Sequence, residues 1–192
     1  MGGKMPRHVA NLKGNKVIRG YDKFTTSDDY ITPKRIIKAL GPFELDPCAC
    51  KEQPWRTAHR MWTEGGLDRG WANSFVFLNP PYGQKMWAWI ERLSNHPAGG
   101  IALIHARTCT RGFHEFVFKR ALSILFLEGR VFFHTPDGER TKSSSGAPSV
   151  AIAYGQKAGR HLWQAITGRT AGGFPTLSEG KRLKGTIVKL QT

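Results

Sequence analysis

Apolar residues fall into short blocks set apart by polar, glycine- and proline-rich stretches, and the spacing inside each block predicts its structure. Ile36, Ile37 and Leu40 share one face at helical spacing. Thr32 stands as N-cap with Pro33 at the first helical position, and Gly41-Pro42 stop the pattern. Phe43, Glu44 and Leu45 read as a short strand. From Phe75 to Leu78 four apolar residues make a buried strand, halted at Asn79-Pro80-Pro81 because proline has no N–H to give to a ladder. A helix is predicted over 84–94, with Met86, Ile90 and Leu93 as its apolar stripe and Trp87 and Trp89 on the flanks. Ile101–His105 is the next strand, and Phe113, Phe116 and Val117 suit a further helix. Residues 124–127, 131–133 and 149–154 read as strands, and 160–166 as a short helix. Helices alternating with strands predict an α/β domain on a mostly parallel sheet.

Charge changes this picture most. The 192 residues, enough for one domain with a full core, carry 29 Lys+Arg against 14 Asp+Glu, a net +15. Such an excess implies a polyanionic partner. Nucleic acid is favoured over membrane, because no apolar run of spanning length accompanies the charge. Basic residues gather at both ends, which divides the chain into an arm over 1–23, a domain over 24–167 and a Gly-rich tail over 168–192. The arm reads equally as an attractor of phosphates or as a solubilising extension. Three cysteines without a leader segment predict no disulfide framework and a cytoplasmic protein. Cys48, Cys50 and His59 are spaced too tightly for a zinc site, so no metal is expected.

The densest chemistry lies just after the Phe75–Leu78 strand. A residue before proline is held extended, so Asn79 and Pro80 are stiff, and the Asn79 side-chain oxygen and Pro80 main-chain oxygen form a fixed pair of acceptors. That pair suits an –NH₂ group, and Tyr82 offers a flat face on which a planar ring can stack. A plain rigid turn would use the same residues. Position favours the binding reading, because ligands of open α/β sheets sit beyond the carboxyl ends of strands. Arg107 and Arg111, in the polar loop at the carboxyl end of the Ile101–His105 strand, are read as DNA-binding. Arg140 and Lys142 lie in a polar stretch over 134–147, read as a DNA-recognition loop ahead of a solvated hairpin.

Asp29, Thr32-Pro33, Leu45-Asp46-Pro47-Cys48-Ala49, Gly66-Leu67 with Trp71, and Asn79-Pro80-Pro81-Tyr82-Gly83 occur in that order over roughly 24–155. Together they resemble the phage-type DNA N6-adenine methyltransferase family. The resemblance implies a Rossmann-like fold, S-adenosylmethionine as cofactor, double-stranded DNA as partner and a phage-encoded enzyme in a bacterial host, with a monomer favoured. It makes 24–167 the catalytic domain. Asn79, Pro80 and Tyr82 become catalytic, with Tyr82 also stacking the base, and Thr32, Pro33, Asp46, Pro47, Cys48 and Ala49 cofactor-binding. Asp46 would face the sulfonium and ammonium of the cofactor, or else serve as a structural acid. Gly65 stands where relatives carry an acid for the adenosine, leaving Glu64 or Asp68 in its place. The alternatives are transfer to cytosine N4, to RNA or to a protein glutamine, or an inactive nucleic-acid-binding relative.

Overall fold

The computed structural model describes residues 30–83, 85–169 and 182–190. The expected basic arm over 1–23 lies outside them, as does Asp29. Seven strands form one sheet in the order β2-β1-β3-β4-β6-β5-β7: β1 is Leu45–Asp46, β2 Arg60–Met61, β3 Val76–Leu78, β4 Gly100–His105, β5 Ser123–Leu127, β6 Ser149–Tyr154 and β7 Gly185–Lys189. Helix α1 spans Lys34–Leu40, α2 Met86–Ser94 and α3 Gln156–Thr167, and a π-wound segment covers Phe113–Phe118.

Period-two alternation in the central strands decides which helix covers which face. Phe77, Ile101, Leu103, Ala151 and Ala153 join one buried cluster with Ile36, Ile37 and Leu40 of α1 and Ala158, Leu162 and Ala165 of α3. Their neighbours Val76, Leu78, Ala102, Ile104, Val150 and Ile152 join the other cluster, with Met86, Trp89, Ile90 and Leu93 of α2 and Phe113 and Val117 of the π-wound segment. Each fully buried Leu, Ile or Phe contributes about 1.5–3 kcal/mol, so the strands apolar on both faces make up the stable middle of the domain. No described helix is long and apolar enough to cross a membrane.

The expectation of a mostly parallel sheet is corrected. β2, β1, β3 and β4 pair in parallel, but β6 runs antiparallel to both β4 and β5, and β7 runs antiparallel to β5. A parallel return needs a crossover, usually a helix. Residues 128–148 contain none, so β6 comes back alongside β5 in the opposite sense.

Three further expectations change. Pro33, not Thr32, occupies the N-cap of α1, with no side-chain cap bond, and its carbonyl accepts from the backbone N–H groups of Ile36 and Ile37. Residues 131–133 form no strand. Val131 and Phe133 are buried by their side chains, and their carbonyls accept single backbone bonds from the Ser145 and Thr141 N–H groups rather than joining a ladder. Strand β7 lies within the stretch expected to be a basic tail.

Candidate active site

Four parallel strands end at one edge, and the chemistry-bearing turns leave from those ends. β1 delivers Asp46–Cys50, β2 delivers Thr63–Gly66, β3 delivers Asn79–Tyr82 and β4 ends on His105. The first three of these turns and the Tyr30–Thr32 segment enclose a cleft of about 220 Å³. Pockets for drug-sized ligands run to about 300–1,000 Å³, so the cleft is sized for part of a small molecule.

Asn79 is held across the cleft. Its Nδ2 donates to the main-chain oxygen of Tyr30 at 3.1 Å. A carbonyl can only accept, so the –NH₂ must face Tyr30, and this fixes which amide atom remains over. That atom, Oδ1, is buried with no hydrogen-bond partner, as is Oγ1 of Thr32 on the neighbouring wall. Leaving a buried acceptor unpaired costs about 1–3 kcal/mol, a cost that a donor entering the cleft removes. Pro80 is buried, and Pro81 rather than Pro80 lines the cleft. The Cys48 thiol donates to the main-chain oxygen of Asn79 at 3.3 Å, joining two motifs 31 residues apart.

Asp46 is almost wholly buried. Burial pushes its carboxyl up to about 6, against the opposing pull of hydrogen bonds from the Thr57 hydroxyl and the Cys48 backbone N–H. Gln53 steadies Thr57 by donating to it at 3.3 Å and to the Trp55 carbonyl at 2.8 Å, and it accepts from the Cys50 N–H at 3.3 Å. Burial first, and the neighbouring Asp46 second, push the Cys48 thiol well up, so it stays protonated as a donor. Thr32, Asp46, Pro47, Cys48 and Ala49 all line the cleft, whereas Pro33 is buried behind it. Of the two acids weighed for the adenosine, Glu64 lines the cleft and Asp68 does not. Among the described residues no group of three or more His, Cys, Asp or Glu could hold a metal ion.

Gly66 closes the cleft floor by close approach. A Cβ there would lie 1.8 Å from the Pro47 carbonyl oxygen and 2.8 Å from the Trp89 ring. Backbone cannot yield as a flexible side chain does. Gly66→Ala is therefore expected to lose about 1–3 kcal/mol in denaturant unfolding and to weaken any ligand held by the 46–50 turn. An unchanged unfolding midpoint would mean that the two turns are free to separate.

Beside the cleft, Tyr82 stacks on His105 with ring centroids 4.3 Å apart and planes 20° from parallel. One face of the expected stacking platform is thus already occupied. Burial, then Arg107 and Arg130, lower the pKa of His105. Arg107 is exposed just past β4, and the Ala106 N–H donates to the Pro148 carbonyl at 2.8 Å, which sets this loop against the end of the 134–147 stretch. Arg140 lies over the Phe132 ring at 3.8 Å and bridges to His134, which in turn pairs with Ile31 on the cleft wall. Arg111 and Lys142 are exposed, and no described contact joins them to the other two.

Sequence reasoning missed Gln53, Thr57, Trp55 and Arg130, and took His105 only as the end of a strand. Trp55 caps the cleft wall, donating through Nε1 to the Thr32 carbonyl at 3.0 Å and meeting His134 edge-on at 5.0 Å. An indole N–H in a polar stretch was the one signal for it, since such a group usually finds a partner when buried.

A family model described as DNA N-6-adenine-methyltransferase (Dam) matches residues 22–167, a span that holds every site residue above. Comparison with curated proteins and with solved structures gave no match.

Proposed function

Because the chain belongs to the DNA N-6-adenine-methyltransferase (Dam) family, we propose that it methylates N6 of an adenine turned out of the DNA duplex, with S-adenosylmethionine as methyl donor. The observation that carries the proposal is the buried, unpaired Oδ1 of Asn79, fixed by the opposite end of its own amide. The donor set of the cleft fits the cofactor. Asp46 offers a carboxylate to its cationic methionine end, Glu64 an acceptor for its ribose hydroxyls, and the Pro47–Ala49 turn small side chains that permit close approach. Bound there, the cofactor supplies an electrophilic methyl group. A sheet with helices on both faces and its ligand turns at the carboxyl ends of parallel strands supports a Rossmann-like reading of the fold.

The residues of this chain then act on the base. An exocyclic amine is a poor nucleophile because its lone pair is spread into the ring. Asn79 Oδ1 and the Pro80 carbonyl accept the two N6 hydrogens and favour a pyramidal nitrogen, whose lone pair is free to attack. These bonds strengthen as positive charge grows on N6, so their contribution falls in the transition state. The methyl–sulfur bond would break as the nitrogen–carbon bond forms, leaving a neutral thioether, and one N6 hydrogen would then pass as a proton to water. Turning the base out costs a few kcal/mol, which stacking on Tyr82 offsets.

Incubation with labelled S-adenosylmethionine and DNA, RNA or protein in parallel, followed by mass spectrometry of the digests, tests this. Label should appear in N6-methyladenine from DNA. Label in N4-methylcytosine, RNA or glutamine instead would overturn the assignment.

Affinity for duplex DNA should fall steeply with salt, by about 0.9 in log–log slope for each phosphate neutralised. Arg107→Ala and Arg140→Ala should each flatten the slope by about 1. A parent slope retained in both variants would remove these two side chains from the DNA interface.

A further inference from the structure

We propose that His105 is a positioning residue that holds Tyr82 as a stacking platform, an inference that rests on the base-capture reading above. Tyr82 follows the stiff Pro80-Pro81 pair and precedes the exposed Gly83 with φ of +131°, so the backbone sets where its side chain starts but not the plane of its ring. His105 belongs to a far more rigid part of the molecule. It ends β4, which is paired with β3 on one side and over its whole length with β6 on the other, where His105 stands opposite Ser149. The two rings lie 4.3 Å apart and 20° from parallel, so the rigid strand end lends its order to the loop ring through face-to-face contact. A base stacking against Tyr82 then meets a ring already in place and loses less freedom on capture.

The chemistry of His105 suits a plate rather than a hydrogen-bonding group. Its Nδ1 is buried without a hydrogen-bond partner, and so is Oγ of Ser149, the residue opposite it in the ladder. The ring is therefore located by its face. Burial disfavours a charged imidazole there, and Arg107 and Arg130, the charged groups that act on it, disfavour it further. A neutral ring stacks without stripping water from a charge.

The test uses the full-length chain with His105→Ala and His105→Phe, alone and in the Tyr82→Ala background. His105→Ala should raise KM for DNA about tenfold and leave cofactor affinity as in the parent, while His105→Phe, which keeps a flat ring, brings KM back to within about twofold. In the Tyr82→Ala background neither substitution should matter further, because the ring being positioned is gone. A second readout needs no activity. With 3-fluorotyrosine incorporated, the Tyr82 fluorine signal, identified by its loss in Tyr82→Phe, should move in His105→Ala and far less in His105→Phe. Should the parent make no N6-methyladenine, the functional reading falls, and the fluorine signal still decides whether His105 orders Tyr82. An unmoved signal in His105→Ala, equal losses in Ala and Phe variants, or full effects in the Tyr82→Ala background would each overturn the proposal.

Discussion

Asn79→Ala protein is expected to bind cofactor and DNA within about twofold of the parent and to transfer methyl groups about 10²–10³-fold more slowly, the cost of removing one preorganised acceptor from a transition state. The separation of binding from rate follows from where the lost atom sits. Oδ1 has no partner among the described residues, so its own removal costs the fold nothing, and the Nδ2 bond to the Tyr30 carbonyl is the side-chain contact that Asn79→Ala gives up with it. It meets a weak donor in the ground state and a strengthening one as N6 becomes cationic, so its loss appears in kcat and kcat/KM together. Asn79→Asp makes the complementary point. It keeps an acceptor but loses the Nδ2 donor to Tyr30 and sets a carboxylate against that carbonyl. Its activity should also fall, through misplacement rather than absence. Product analysis under single-turnover conditions checks both, and near-parent N6-methyladenine formation by folded Asn79→Ala protein would sink the mechanism.

What could be read ahead of the structure divides along physical lines. β6 was legible because Ser149–Tyr154 is a continuous run buried on both faces, and α2 because Met86, Ile90 and Leu93 are too apolar and too regularly spaced to lie elsewhere. The direction of β6 was not legible, since it depends on how the chain crosses from β5 and not on any residue within the strand. β2 and β7 were invisible for a related reason. Arg60–Met61 and Gly185–Lys189 are edge strands with polar or half-exposed residues, and pairing with an existing ladder makes them strands rather than their own pattern. Thr32 has the composition of a cap, but it is buried against the cleft and α1 starts one residue later, at the carbonyl of Pro33.

The site follows the same division. Asp46 and Asn79 announce themselves through stiff neighbours, Asp46-Pro47 and Asn79-Pro80, that demand a fixed direction. Gln53, Thr57 and His105 are ordinary residue types whose meaning comes from contacts made only in the fold. Gln53 matters because it holds the hydroxyl that holds Asp46, and His105 because a ring 23 positions earlier in the chain lies on it. No local spacing encodes such relations.

Asp46 gives the second large effect, and pH reveals it. Its carboxyl titrates at about 6 because burial penalises the charge, whereas a carboxylate in the unfolded chain titrates near 3.8. The folded-state value is raised, so the stability that Asp46 contributes to the ligand-free protein is fully present below about 3.8 and is lost as pH rises through about 6, a difference of about 3 kcal/mol. Cofactor binding should run the opposite way. Its sulfonium does not titrate and its ammonium stays charged below pH 7, so the cleft needs the carboxylate. Affinity should therefore drop about tenfold for each pH unit below 6 and level off above it. His105, His134 and His161 are also held below the usual histidine range, chiefly by burial. The difference between the parent and Asp46→Asn isolates the one carboxyl. Asp46→Asn should bind cofactor about 30-fold or more weakly at pH 7, in line with the 2–5 kcal/mol cost of removing one member of a buried charge pair. Its affinity should be flat between pH 5 and 7, and its thermal midpoint should fall less than the parent's as pH rises from 4 to 6. Calorimetric titration and thermal scans across that range measure both, and a parent affinity that does not depend on pH there would leave Asp46 a structural acid held by Thr57 and Cys48.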